Sequence, residues 1–112
     1  MTAITTHVLD TARGRPAAGV PIVLERATGD GWQELGRGAT DADGRLRDLI
    51  AEGAPTRAGR YRLTFDTGAY FRDRGEAAFY PEVSVVFTVA ADEHHHVPLL
   101  LSPFGYSTYR GS

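Results

Sequence analysis

The sequence predicts an all-β sandwich. Short β-prone runs separated by Gly, Pro and Asp clusters recur about every 10–15 residues, the punctuation of a chain of strands. Several runs alternate apolar and polar residues, and a single segment interrupts that rhythm. Roughly seven or eight short strands in a chain of 112 residues, with little helix, read as a β-sandwich.

The first run is Ile4 to Asp10. Gly14-Arg15-Pro16 and Ala18-Gly19 then turn the chain into Val20 to Arg26, where Val20, Ile22 and Leu24 share one face. Thr28-Gly29-Asp30-Gly31 is a hairpin-like turn leading to Trp32 to Thr40. Asp41-Ala42-Asp43-Gly44 turns again into a short strand, Arg45 to Leu49. Arg60 to Thr67 alternates cleanly, with Tyr61, Leu63 and Phe65 on one face and Arg62, Thr64 and Asp66 on the other. Ala69 to Ala78 breaks the alternation and is stopped by Pro81, which predicts one short helix. Val83 to Ala90, His94 to Leu101 and Tyr106 to Arg110 are the remaining strands.

The size predicts one domain over residues 1–112, hiding roughly 65% of its unfolded surface. A net charge of −2 leaves no electrostatic footprint for nucleic acid or an anionic membrane. The chain has no cysteine, which removes disulfides and thiolate chemistry, and no lysine among its 12 basic residues, which removes a lysine Schiff base. Met1 to His7 has neither a charged nor an apolar leader region, and no apolar run approaches the ~18 residues of a membrane span. The expected location is cytoplasmic.

All four histidines fall in two places, His7 and His94-His95-His96. Alternation puts His94 and His96 on one face about 7 Å apart and His95 on the other. On the first strand His7 lies with Thr5 and Leu9, opposite Ile4, Thr6 and Val8. Each imidazole can be a hydrogen-bonded surface or semi-buried side chain; together they can be acid–base groups, or, as His7, His94 and His96 with Glu93 behind them, zinc ligands. Arg45 and Arg47 alternate with Leu46, giving one face two guanidiniums that either protect an edge strand or clamp an anion or carbonyl. The C-terminal Tyr109-Arg110-Gly111-Ser112 follows a strand-like run and delivers a phenol, a guanidinium, a hydroxyl and an α-carboxylate to one region. It is either a plain edge strand or part of a site. No nucleophile elbow, phosphate loop or dinucleotide fingerprint is present.

Thr6-His7-Val8-Leu9-Asp10 with Gly14-Arg15-Pro16-Ala17, Thr40-Asp41-Ala42-Asp43-Gly44-Arg45, and His94 through Pro103 with Tyr106 to Ser112 together resemble the 5-hydroxyisourate hydrolases, the transthyretin-related enzymes of urate breakdown. The resemblance spans essentially the whole chain. His7, Arg45, His96 and the terminal tetrapeptide separate it from the hormone carrier of the same fold.

The resemblance implies a transthyretin-like β-sandwich of two four-stranded sheets with one short helix. It implies a homotetramer with active sites in a central channel at the dimer–dimer interface. The implied reaction opens the N1–C6 amide-like bond of 5-hydroxyisourate, giving 2-oxo-4-hydroxy-4-carboxy-5-ureidoimidazoline, with no cofactor and no metal. The implied catalytic set is His7, Arg45, His96 and Ser112. Substrate contacts fall to His7, Arg45, Tyr109 and Arg110; His94 receives no role. His95, often aromatic in relatives, lies off the active face. Chemically, a neutral histidine takes a proton from water, arginine forks onto carbonyl oxygens and tyrosine offers a flat wall. A carrier of small aromatic ligands, a metal-dependent hydrolase and a structural module are the competing readings. The carrier predicts an apolar or singly charged channel lining.

Overall fold

A computed structural model describes residues 3–51, 53–90 and 93–112. Met1 and Thr2, part of the leader reading above, lie outside the described residues. The strands are β1 (Ile4–Asp10), β2 (Arg15–Pro16), β3 (Pro21–Thr28), β4 (Gly31–Ala39), β5 (Arg45–Leu46), β6 (Gly59–Phe65), β7 (Val83–Val89), β8 (His95–Ser102) and β9 (Gly105–Thr108). One helix, α1 (Thr67–Arg72), joins β6 to the segment before β7. It is too short to be considered for a membrane span, and among the described residues no helix is long and apolar enough for one.

One sheet runs β4-β3-β6-β7, antiparallel throughout. The other runs β2-β1-β8-β9, with β5 also paired to β1. β8 lies parallel to β1 along its whole length, so β2 and β5 share the opposite edge of β1 in succession. The expected two-sheet sandwich with one helix is therefore present, and the expected four-strand width is kept by that shared edge.

Alternation fills the space between the sheets. Ile4 and Val8 of β1 and Val97, Leu99 and Leu101 of β8 face Ile22 and Leu24 of β3 and Tyr61, Leu63 and Phe65 of β6. Each such side chain, removed from water, contributes about 1.5–3 kcal/mol before entropy is charged against it. The opposite face of the β1–β8 sheet is the one that carries Thr5, His7 and His96.

Four elements differ from expectation. Arg15 and Pro16, read as part of a turn, form β2 and pair with Asp10 and Leu9 of β1. The fifth strand ends at Leu46 instead of Leu49: its pairing with β1 stops at Leu46 opposite Thr6, and the chain then bends at Leu49 and Ile50, which are buried in the core. The helix starts and stops earlier than Ala69 to Ala78. Asp66 caps it by accepting from the Ala69 amide at 3.0 Å. At its other end Glu76 N–H donates to the Phe71 carbonyl and Gly75 N–H to that of Arg72, with Gly75 at φ 69°, the left-handed turn that ends many helices. The last strand stops at Thr108, and the chain rejoins the sheet only through Gly111, whose amide donates to the His96 carbonyl at 2.8 Å.

Asp10, buried at the end of β1, ties the sheet to the helix. Its carboxylate accepts from Tyr70 Oη at 2.7 Å and from the Arg13 amide at 3.0 Å, with the Arg13 guanidinium 3.6 Å away. Burial, then the hydrogen bond to Asp10, pushes the Tyr70 phenol up to about 12.

Candidate active site

The outward face of the β1–β8 sheet builds a site from paired strands. Parallel pairing sets Thr5 beside His96, and antiparallel pairing sets His7 beside Arg45. These residues are up to 91 positions apart in sequence and become neighbours only through the sheet register.

The turn before β5 fixes the Arg45 end. Asp41 Oδ1 accepts from the Asp43 amide at 2.9 Å and from the Arg45 amide at 3.0 Å. The Arg45 amide is the main reason the Asp41 carboxyl lies below the usual range; the Asp43 amide and the Arg47 and Arg45 charges act in the same direction. Gly44, at φ 77°, packs so closely on the Val8 carbonyl that a Cβ would collide with it. The Asp43 carbonyl that this turn presents is 2.8 Å from His7 Nε2. A carbonyl only accepts, so Nε2 carries the proton and donates. In neutral His7 the bare nitrogen is therefore Nδ1, the one free to act as a base.

The other end is built on His96. Thr5 Oγ1 lies 2.8 Å from His96 Nδ1 and 3.3 Å from His94 Nε2. Burial, then the charges of Arg45, His7, His94 and Arg47, hold the His96 imidazole below its ordinary pKa. His96 is thus held neutral at physiological pH. Gly111 lies against its ring, and a Cβ there would meet His96 Cδ2 at 2.5 Å and Pro98 Cγ at 3.2 Å.

Thr5, Arg45, Arg47, His94, His96 and Ser112 line one open cleft of about 190 Å³. Of the expected catalytic set, Arg45, His96 and Ser112 meet directly in this cleft, and His7 stands beside Arg45 on the adjoining strand. Tyr109 and Arg110 do not line this cleft. They line a second cleft of about 220 Å³ with Val86, Phe87, His95, His96 and Thr108, between β7, β8 and the C-terminal segment, so His96 borders both clefts. Arg110 reaches Glu93 Oε1 at 3.3 Å.

His95 points to the opposite face, as alternation predicts. It is buried, with Nδ1 donating to the Glu93 carbonyl at 3.2 Å and Nε2 accepting from the Ala90 amide at 3.4 Å. Among the described residues no three histidine, aspartate or glutamate side chains are grouped to hold a metal ion. Sequence reasoning did not single out Thr5, whose only signal was its place two residues before His7, or Gly111 as a neighbour of His96.

A lining of two guanidiniums, imidazoles and hydroxyls suits an oxygen-rich planar ligand and an attacking water. It differs from an apolar channel.

Residues 4–111 match the model of the HIUase/Transthyretin family. The chain belongs to that family. A 5-hydroxyisourate hydrolase of Mesorhizobium japonicum is 51% identical, the match covering 97% of this chain and 91% of the relative. The solved Klebsiella pneumoniae 5-hydroxyisourate hydrolase superposes with a TM-score of 0.88 at 39% identity, covering all of both chains. A sea bream transthyretin solved with thyroxine superposes with a TM-score of 0.91 at 36% identity, covering 98% of this chain and 95% of that one. Backbone shape therefore does not divide hydrolases from carriers within the HIUase/Transthyretin family. The side chains of the cleft have to do so.

Proposed function

We propose that this protein is a 5-hydroxyisourate hydrolase. Water adds to C6, the C6–N1 bond breaks, and N1 leaves with a proton, giving the ring-opened carboxylate 2-oxo-4-hydroxy-4-carboxy-5-ureidoimidazoline of urate breakdown. The observation that carries the reading is the meeting of Arg45, His96 and Ser112 in one cleft, with His7 alongside. Full-length similarity to hydrolases at 51% identity supports it. The family match over 4–111 supports one such domain spanning the chain.

In this reading His7 takes a proton from water through Nδ1, since its Nε2 is committed to the Asp43 carbonyl. The Ser112 hydroxyl holds that water. Arg45 forks onto the carbonyl where negative charge develops. His96, kept neutral by burial and then by the charges around it, donates a hydrogen bond to the heterocycle on the leaving-nitrogen side. No cofactor or metal is required, because the developing charge is met by arginine and imidazole.

The protein works as a cytoplasmic homotetramer in this reading, with active sites where dimers face each other. Exposed Val86, Tyr106 and Tyr109 lie on or beside β7 and β9, the edge strands of the two sheets, and the cleft is open on one side. Tyr109 and Arg110 then contact substrate across a subunit boundary.

The test is ring opening of freshly prepared 5-hydroxyisourate, followed by loss of its ultraviolet absorbance. Wild type should accelerate it, and His7→Asn and His96→Asn, each folded, should lose at least about 100-fold in turnover. Decay at the buffer rate with wild type would refute the reading. Light scattering should give a tetramer; a fully active monomer would remove the assembly from it.

A further inference from the structure

We propose that Thr5 is a positioning residue, whose hydroxyl bridges His94 to His96 and holds His96 as the tautomer with its proton on Nε2. The inference rests on the hydrolase reading for its catalytic meaning, but its structural content stands apart from it.

A threonine hydroxyl has one proton to give and lone pairs to receive. Thr5 Oγ1 sits between two imidazole nitrogens, His96 Nδ1 at 2.8 Å and His94 Nε2 at 3.3 Å. With both contacts made, the hydroxyl donates to one and accepts from the other. The two histidines are therefore coupled: a bare nitrogen on one side requires a protonated nitrogen on the other. Hydroxyl donors make shorter bonds than N–H donors. The shorter contact, to His96, is the one in which Thr5 donates, and the longer is His94 Nε2–H donating to Oγ1. His96 Nδ1 is then bare, and the proton of the neutral ring is on Nε2.

The surroundings hold this bridge in place. Thr5 is only 5% exposed, and the parallel pairing of β1 with β8 sets its Cα opposite that of His96. On the other side of the ring, Gly111 abuts Cδ2, the carbon bonded to Nε2. The imidazole is thus gripped from both edges, and its rotation would break the Thr5 bond or collide with the C-terminal segment.

The consequence is a division of labour between two histidines of one cleft. His7 donates Nε2–H to the Asp43 carbonyl and keeps a lone pair on Nδ1. His96 accepts at Nδ1 and keeps a donor on Nε2. One ring offers a base and the other a hydrogen-bond donor, which a reaction that deprotonates water and stabilises a departing nitrogen needs together. His94, with no role from the family resemblance, becomes the outer anchor of the bridge.

The experiment is nitrogen-15 NMR of histidine-labelled protein without ligand at neutral pH, together with kinetics of Thr5→Val and Thr5→Ser. Wild type should show His96 with a protonated Nε2 and a bare Nδ1. Thr5→Val keeps the shape and removes the hydroxyl; it should give a mixture of His96 tautomers. Its kcat should fall at least about 10-fold, less than the 10²–10³-fold of deleting a transition-state donor outright, with KM little changed. Thr5→Ser should restore both the single tautomer and the turnover. A wild-type spectrum with the proton on Nδ1, or a Thr5→Val protein with the wild-type tautomer and kcat, would overturn the proposal. If Thr5→Val does not fold, the wild-type and Thr5→Ser spectra still decide the tautomer. If wild type does not open 5-hydroxyisourate, the hydrolase reading fails while the spectra still judge the bridge.

Discussion

Gly111 lies against the imidazole of His96 so closely that a Cβ on Gly111 would stand 2.5 Å from His96 Cδ2. The same glycine donates its amide to the His96 carbonyl at 2.8 Å, joining the C-terminal segment to β8 at the site itself. The ring is held from Thr5 on the other edge at 2.8 Å, so it has no easy way to yield. Gly111→Ala should therefore push the ring or the terminus out of place. Turnover should fall about 10-fold or more, in line with the cost of small displacements in a catalytic arrangement. The unfolding free energy should fall by only about 1 kcal/mol. Steady-state kinetics beside urea unfolding would show whether the two effects separate.

Ser112 should behave in the same direction for another reason. It lines the cleft with Arg45 and His96 and is itself exposed, so little packing depends on it. Deleting it should cost no more than about 0.5 kcal/mol in stability, as for a surface change, while depressing turnover far more. A C-terminal tag should do likewise. Untagged rates in both proteins would make the terminal residues structural.

The Asp41 turn gives a graded test. Asp41→Ala removes the acceptor of the Asp43 and Arg45 amides, loosening both Arg45 and the carbonyl that orients His7. Turnover should drop about 10-fold, whereas Asp41→Asn, which keeps an oxygen acceptor, should stay close to wild type. Because folding lowers the Asp41 pKa, its contribution to stability is present above the ordinary carboxyl value of 3.8 and disappears as pH falls through the lower folded value. Acid unfolding of wild type against Asp41→Asn isolates that contribution.

His96 sets a second pH dependence. Burial and the nearby Arg45, His7, His94 and Arg47 lower its pKa below the ordinary 6.5. A depressed folded pKa means that the unfolded chain binds the proton more readily. Stability from keeping His96 neutral is therefore intact above 6.5 and is lost as pH falls through the folded value. The stability difference between wild type and His96→Asn, measured by denaturant titration across that window, should shrink as the solution is acidified. A difference independent of pH would show that folding does not perturb His96.

Tyr70→Phe probes a buried polar contact outside the cleft. It removes the 2.7 Å bond to the buried Asp10 carboxylate and should cost about 1–3 kcal/mol. The Tyr70 pKa is raised from 10.0 to about 12, so its contribution is complete below 10.0 and is lost as pH rises through the folded value. Wild type should lose stability over that alkaline range more steeply than Tyr70→Phe. Parallel slopes would show that the phenol is not protected.

Much of this architecture is local and therefore legible in a chain read by itself. The faces of β1, β3, β6 and β8 follow from alternation, since successive side chains must point to opposite sides of a strand. That rule placed Ile22, Leu24, Leu63 and Phe65 inside, separated His95 from His96, and put His7 with Thr5. The Asp41-Ala42-Asp43-Gly44 turn and the edge guanidinium after it are equally local. Motif resemblance added the joint importance of His7, Arg45, His96 and Ser112. Sheet register, by contrast, is a long-range choice between segments that carry no mark of their partner. Only the parallel pairing of β1 with β8 brings Thr5 against His96, and only the return of Gly111 to His96 places Ser112 in the same cleft. The early end of β5 and the turn of Tyr109 and Arg110 toward β7 come from the same source. Burying Leu49 and Ile50 together, and bending the chain after Thr108, depend on contacts that exist only once both sheets have packed.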